Sequence, residues 1–132
     1  MNTQEYLAAI HLALVESPIV AGYAIMRQRV VSVSGYLRVR IRLVNGDFLE
    51  AAEFFELTSG DIQVSDYRHQ WMDGERAILH KRWDSAPHHP EVERAPHHCH
   101  DGSEDRVIPG QPMSIAEVLT AIASEIRPGE MR

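Results

Sequence analysis

Apolar positions along this chain follow two rhythms, one at the ends and another through the middle. Near the start, Leu7, Ile10 and Leu14 recur at helical spacing. Asn2 can cap that helix, and Glu5, three residues on, can reach back to the cap. A helix is therefore predicted over 2–16, stopped by Pro18, because the residue before a proline avoids helical geometry. Near the other end, Ile115, Val118, Leu119, Ile122 and Ile126 form a second apolar stripe. It opens on the capping box Ser114-x-x-Glu117 and closes on Pro128-Gly129, which predicts a helix over 113–126.

Between the helices the period changes to two. In YLRVRIRLV (Tyr36 to Val44), Leu37, Val39, Ile41 and Leu43 fall on one face and Arg38, Arg40 and Arg42 on the other. Asn45-Gly46 follows as a hairpin signal, and a two-residue turn there would set Arg38 opposite Glu53 and Arg40 opposite Ala51. Runs at Tyr23 to Ser32, Phe48 to Leu57, Ile62 to Trp71 and Ala77 to Trp83 read as the other strands. Turns are expected at Ser34-Gly35, Gly60-Asp61 and Asp73-Gly74. Consecutive hairpins within 23–83 make an antiparallel β-meander of about five strands. The segment 84–112 holds five prolines and two glycines and few apolar residues, so it reads as a long His/Pro-rich loop, with a short edge strand at His97 to His100. The expected fold is an α+β single domain over 1–132, with the N- and C-terminal helices packed on one face of the sheet.

Composition narrows the classes. A chain of 132 residues suits one domain with a moderate core. No apolar run approaches the roughly 20 residues that span a bilayer. The start of the chain has no basic region followed by an apolar core, and the single cysteine excludes an internal disulfide framework. A cytoplasmic protein with no membrane contact is expected. The net charge of −6 excludes a wholly basic surface for nucleic acid but leaves room for a local patch. Twelve of the thirteen basic residues are arginine, whose rigid fork grips phosphate or carboxylate.

Candidate chemistry concentrates in RWDSAPHHPEVERAPHHCH (Arg82 to His100), which carries five of the eight histidines and the only cysteine. Histidine titrates near neutral pH and can move protons in phosphoryl transfer, while arginine can stabilise phosphate charge. The catalytic candidates are His69, Arg82, Asp84, His88, His89, His97 and His98. A divalent metal such as zinc is the alternative cofactor, with His88, His98 and His100 as ligands, although no established zinc spacing is present. If 97–100 forms a strand, His98 and His100 share one face and His97 and Cys99 the other. A stiff structural loop is the plain reading of the same residues. Nucleic-acid contacts are assigned to Arg38, Arg40, Arg42 and Tyr67. The plain reading of that arginine stripe is a solvated strand face with Arg38 paired to Glu53.

YRHQW (Tyr67 to Trp71), KRWDSAPHHPE (Lys81 to Glu91), APHHCH (Ala95 to His100), VIP (Val107 to Pro109) and the capped last helix together resemble the TumE-like proteins, small prokaryotic toxins of toxin–antitoxin pairs. The resemblance covers Asp66 to Ile126. It places Tyr67, His69, Arg82, Asp84, His88, His89, His97, His98 and His100 on the family's motif positions. Ser85 stands where the family pattern has asparagine, and Cys99 stands at a variable position. The resemblance implies a toxin held in check by a cognate antitoxin protein. RNA as the target is an analogy with other toxins of this size. A metal-dependent hydrolase using the same histidines, and a non-catalytic module docking through its arginine stripe or sheet edge, are the alternatives. An open sheet edge also offers a route to a homodimer.

Overall fold

The computed structural model describes residues 1–87, 89, 91 and 95–126. Its elements run α1 (Thr3–Glu16), β1 (Val20–Val30), β2 (Ser34–Leu43), β3 (Phe48–Thr58), β4 (Asp61–Met72), β5 (Leu79–Asp84), β6 (His98–Asp101), β7 (Val107–Pro109) and α2 (Ile115–Glu125). The strands form one antiparallel sheet in chain order, β1 to β7. The expected α+β single domain is the fold. Among the described residues no helix is long and apolar enough to cross a membrane.

Both helices start as their capping boxes dictate. The Asn2 side chain accepts from the Glu5 N–H and the Glu5 carboxylate accepts from the Asn2 N–H, and Ser114 and Glu117 repeat the exchange. Leu7, Ile10 and Leu14 of α1 and Ile115, Val118, Leu119 and Ile122 of α2 are buried. They cover the apolar phase of the sheet, where Leu37, Val39, Ile41, Leu43, Leu49, Ala51, Phe55, Trp71 and Trp83 lie. One face of the sheet is thus covered by helices, and the other carries the polar phase.

Three expectations need correction. The sheet has seven strands among the described residues: the expected short strand at His97 to His100 forms as β6, but it is not the edge, because the expected His/Pro-rich loop also contributes β7 beside it. Cys99 and Ile108 pair with each other and join the core, and β6 satisfies the edge of β5 that would otherwise be bare. The turn after β1 lies at Val31 to Val33, closed by Val31 N–H donating to Ser34 O at 2.8 Å, so Ser34-Gly35 already belongs to β2. The Asn45-Gly46 hairpin has a three-residue loop, with Gly46 at φ +92° and Leu43 N–H donating to Asp47 O at 2.9 Å. That extra residue moves the register by one, so Arg38 faces Ala52, Arg40 faces Glu50, and Glu53 faces Leu37 on the covered side.

Candidate functional site on the open face of the sheet

Paired residues of an antiparallel sheet project to the same side, so the ladders read as rows. One row on the open face runs Arg38, Ala52, Arg68, Asp84, His98, and the next runs Arg40, Glu50, Gln70, Arg82, His100. From β2 to β6 such a row spans roughly 19 Å, at about 4.8 Å per strand. Arginines occupy one end and histidines the other.

At the histidine end, His98 and His100 stand side by side on β6, and His89 reaches them from the connection between β5 and β6. Ring centroids lie 5.0 Å apart for His98 and His100, 5.1 Å for His89 and His98, and 5.6 Å for His89 and His100. The rings stand at 67–77° to one another, so their edges converge. One ring nitrogen of each lies within 4.8 Å of one from each of the others. His98 Nδ1 lies 2.9 Å from Pro96 O, and His100 Nδ1 lies 2.9 Å from Glu104 O. A carbonyl only accepts, so each Nδ1 carries a proton and donates it, which leaves the Nε2 lone pair free in the neutral ring. His89 Nδ1 faces the Glu91 carboxylate at 3.2 Å with the same consequence. Burial holds the His100 imidazolium below its ordinary range, and the Arg82 and His98 charges push the same way.

Arg82 lies beside His100 in the ladder and is itself buried. Its two terminal nitrogens donate to both Glu104 oxygens at 2.5 and 2.6 Å, and one of them also donates to Gln70 Oε1 at 3.2 Å. The carbonyl of the same Glu104 accepts from His100, so this fork fixes the turn that orients the His100 ring. Asp84 pairs with His98 in the ladder and lies 3.7 Å from Arg82 Nε and 3.9 Å from Arg68 Nε. Gly110 passes so close beneath His98 that a Cβ there would lie 2.9 Å from its backbone nitrogen.

Arg38, Arg40 and Arg42 share the open face as expected. Glu50 pairs with the first two, its Oε1 at 2.8 Å from Arg38 and its Oε2 at 2.9 Å from Arg40. Arg42 lies over Gly22, where a Cβ would come within 3.0 Å of its guanidinium, and it is exposed. Hollows follow one another across this face. A 420 Å³ groove is lined by Arg40, Arg42 and Arg76, and a 310 Å³ hollow by Arg38, Glu50 and Arg68. A 280 Å³ hollow follows, lined by Tyr36, Phe54, Arg68 and Asp84.

The structure does not bring His69, Tyr67 and His97 to the open face. His69 is fully buried on the covered side, donates from Nε2 to Met113 O at 2.8 Å, and burial lowers its pKa to about 4. Tyr67 donates to Gln111 O at 2.9 Å and meets His97 Nδ1 at 3.0 Å, which makes that Nδ1 the donor. Tyr67 is therefore separated by the sheet from the arginine stripe. Cys99 also faces the core, where burial raises its thiol to about 11. His88 lies outside the described residues.

Sequence reasoning missed the carboxylates around these residues. Glu104 and Glu50 sit in stretches without a chemical motif. Glu53 did leave a signal, since it occupies the apolar phase of β3 between Ala51 and Phe55. Wholly buried, it accepts from the Tyr6 hydroxyl and from Ile115 N–H at 2.7 Å each, and burial raises its pKa.

A protein-family model described as Toxin TumE matches residues 9–127. Neither a curated protein nor a solved structure matches the chain.

Proposed function

The chain belongs to the TumE toxin family, and on that premise we propose that it is the toxin of a toxin–antitoxin pair and cuts RNA on the open face of its sheet. One observation carries the reading: His89, His98 and His100 converge at the end of a row of arginines that leads across the face opposite α1 and α2. A phosphate backbone needs cations along a track, and Arg42, Arg40, Arg38 and Arg68 line successive hollows on this one.

The reaction needs an attacking oxygen stripped of its proton beside a phosphodiester. The triad activates the ribose 2′-hydroxyl, whose proton passes to water as its oxygen bonds to phosphorus. The bond to the 5′-oxygen breaks, that oxygen takes up a proton from water, and the products are a 2′,3′-cyclic phosphate and a 5′-hydroxyl end. Arg68 lies between the stripe and the triad, with an exposed side chain placed to meet the phosphate. Arg82 is a positioning residue, because Glu104 and Gln70 already engage its fork. His69, Tyr67 and His97 support the covered side of β4 and β6. The cognate antitoxin would silence the toxin by covering the open face.

The test is cleavage of an RNA oligonucleotide by the purified chain, beside His98→Ala and the same oligonucleotide carrying 2′-deoxyribose. Cleavage of RNA alone, slowed about a hundredfold or more in His98→Ala, supports the reading. Intact RNA under conditions where the chain arrests bacterial growth sinks it.

A further inference from the structure

We propose that His89, His98 and His100 hold one divalent transition-metal ion of the zinc class through their Nε2 atoms. The role of the ion in catalysis rests on the RNA reading above; its binding does not.

Four features point to an ion. The three rings meet edge to edge, at 67–77°, instead of stacking. Each Nδ1 is committed to an oxygen that only accepts: Pro96 O, Glu104 O and the Glu91 carboxylate. Metal-ligating histidines are held by such partners, which fix the tautomer and turn the other nitrogen inward. His98 and His100 are both nearly fully buried and lie two positions apart on one short strand, so two of the three ligands are rigidly placed. A three-imidazole set suits zinc, copper, nickel or iron(II) and leaves a coordination position towards the face where the phosphodiester lies.

The geometry needs a modest closure. Zinc–nitrogen bonds of about 2.1 Å place tetrahedral ligand atoms about 3.4 Å apart, and the three nitrogens now lie within 4.8 Å of one another. His89 sits in the connection between β5 and β6, outside any strand, so its rotation supplies the approach. Cys99, the residue whose chemistry most suggests zinc, takes no part, because strand alternation sends it to the opposite face. With an ion in place, the triad activates the attacking hydroxyl by lowering its pKa.

The experiment uses the whole chain without a histidine tag, stripped with chelator and titrated with Zn(II) by calorimetry and with Co(II) by visible absorption. One ion per chain is expected, with intense cobalt bands of a four-coordinate site. His98→Ala and His100→Ala should each weaken binding about a hundredfold or more, while His11→Ala, on α1 beside Gln28 of β1, leaves it unchanged. Circular dichroism establishes that the variants fold. No stoichiometric binding to the wild-type chain overturns the proposal, as does binding that survives in folded His98→Ala. RNA cleavage that persists in chelator without bound ion removes the ion and leaves the RNA reading standing. Stoichiometric, histidine-dependent binding without RNA cleavage does the reverse.

Discussion

The two faces of this sheet use the same residue types to opposite ends. On the covered face, His69 donates one proton to Met113 O, its other ring nitrogen meets no partner among the described residues, and Glu53 is closed in by Tyr6 and the first N–H of α2. On the open face, three imidazoles each bring a ring nitrogen within 4.8 Å of the other two, and the carboxylates Glu50 and Glu104 hold arginines in place. Polar groups under the helices are sealed off from any ligand, whereas those on the open side keep capacity for one. Substitutions should therefore separate cleanly into losses of stability and losses of activity.

The largest effect is expected at Glu53. Glu53→Ala leaves the Tyr6 hydroxyl and the Ile115 N–H unpaired in the core and opens a cavity, at a cost of about 3 kcal/mol in urea denaturation. A variant of unchanged stability would show that the covered face does not depend on this carboxylate. Close behind comes acid sensitivity through His69, which titrates at about 4 in the folded chain. The unfolded chain takes up that proton near 6.5, so stability present above pH 6.5 is lost as pH falls towards 4, by about 3 kcal/mol in all. Glu53 works in the other direction, since its raised value makes its contribution fall as pH rises through the carboxylate range. Denaturation across this pH range should show a flatter acid limb in His69→Gln, and an identical limb would refute the assignment.

Gly110→Ala tests where the faces meet. Its Cβ would press on the backbone of His98, which cannot swing aside like a side chain. A loss of about 1–2 kcal/mol is expected, with a larger proportional loss of zinc affinity. Retained affinity would mean that β6 can shift without disturbing the triad. The smallest effect on stability belongs to Arg38→Ala and Arg40→Ala, each below about 1 kcal/mol because their pairs with Glu50 are part-exposed. Each should still lower the salt slope of RNA binding by about one. An unchanged slope would take the stripe out of the RNA track.

What was legible in the sequence follows the range of the interactions. Both capping boxes are local, and both helices begin where those residues place them. The split of His98 and His100 from Cys99 is strand alternation, and it holds. The register between β2 and β3 was not legible, because Asn45-Gly46 serves a two- or a three-residue loop equally well, and one residue decides whether Glu53 is exposed or buried. β6 was legible as a short strand at His97 to His100, whereas β7 was hidden, because Ile108 is its one apolar residue packed against the core among the described residues. That His89 joins the triad, and that Glu104 closes on Arg82 across 22 positions, depends on the path of a segment with no periodicity to read.

Strand order in this sheet equals chain order. Every pairing closes a hairpin with its immediate predecessor, so the sheet can grow one strand at a time, without waiting for distant segments to find each other. α1 and the first three strands supply much of the core before residue 60, while the strand that carries His98 and His100 is the sixth of seven to be synthesised. A nascent chain stalled before β6 would already hold much of the core and would still lack His98 and His100 of the proposed site. The proposed site would come into being only after five strands of the sheet have been made.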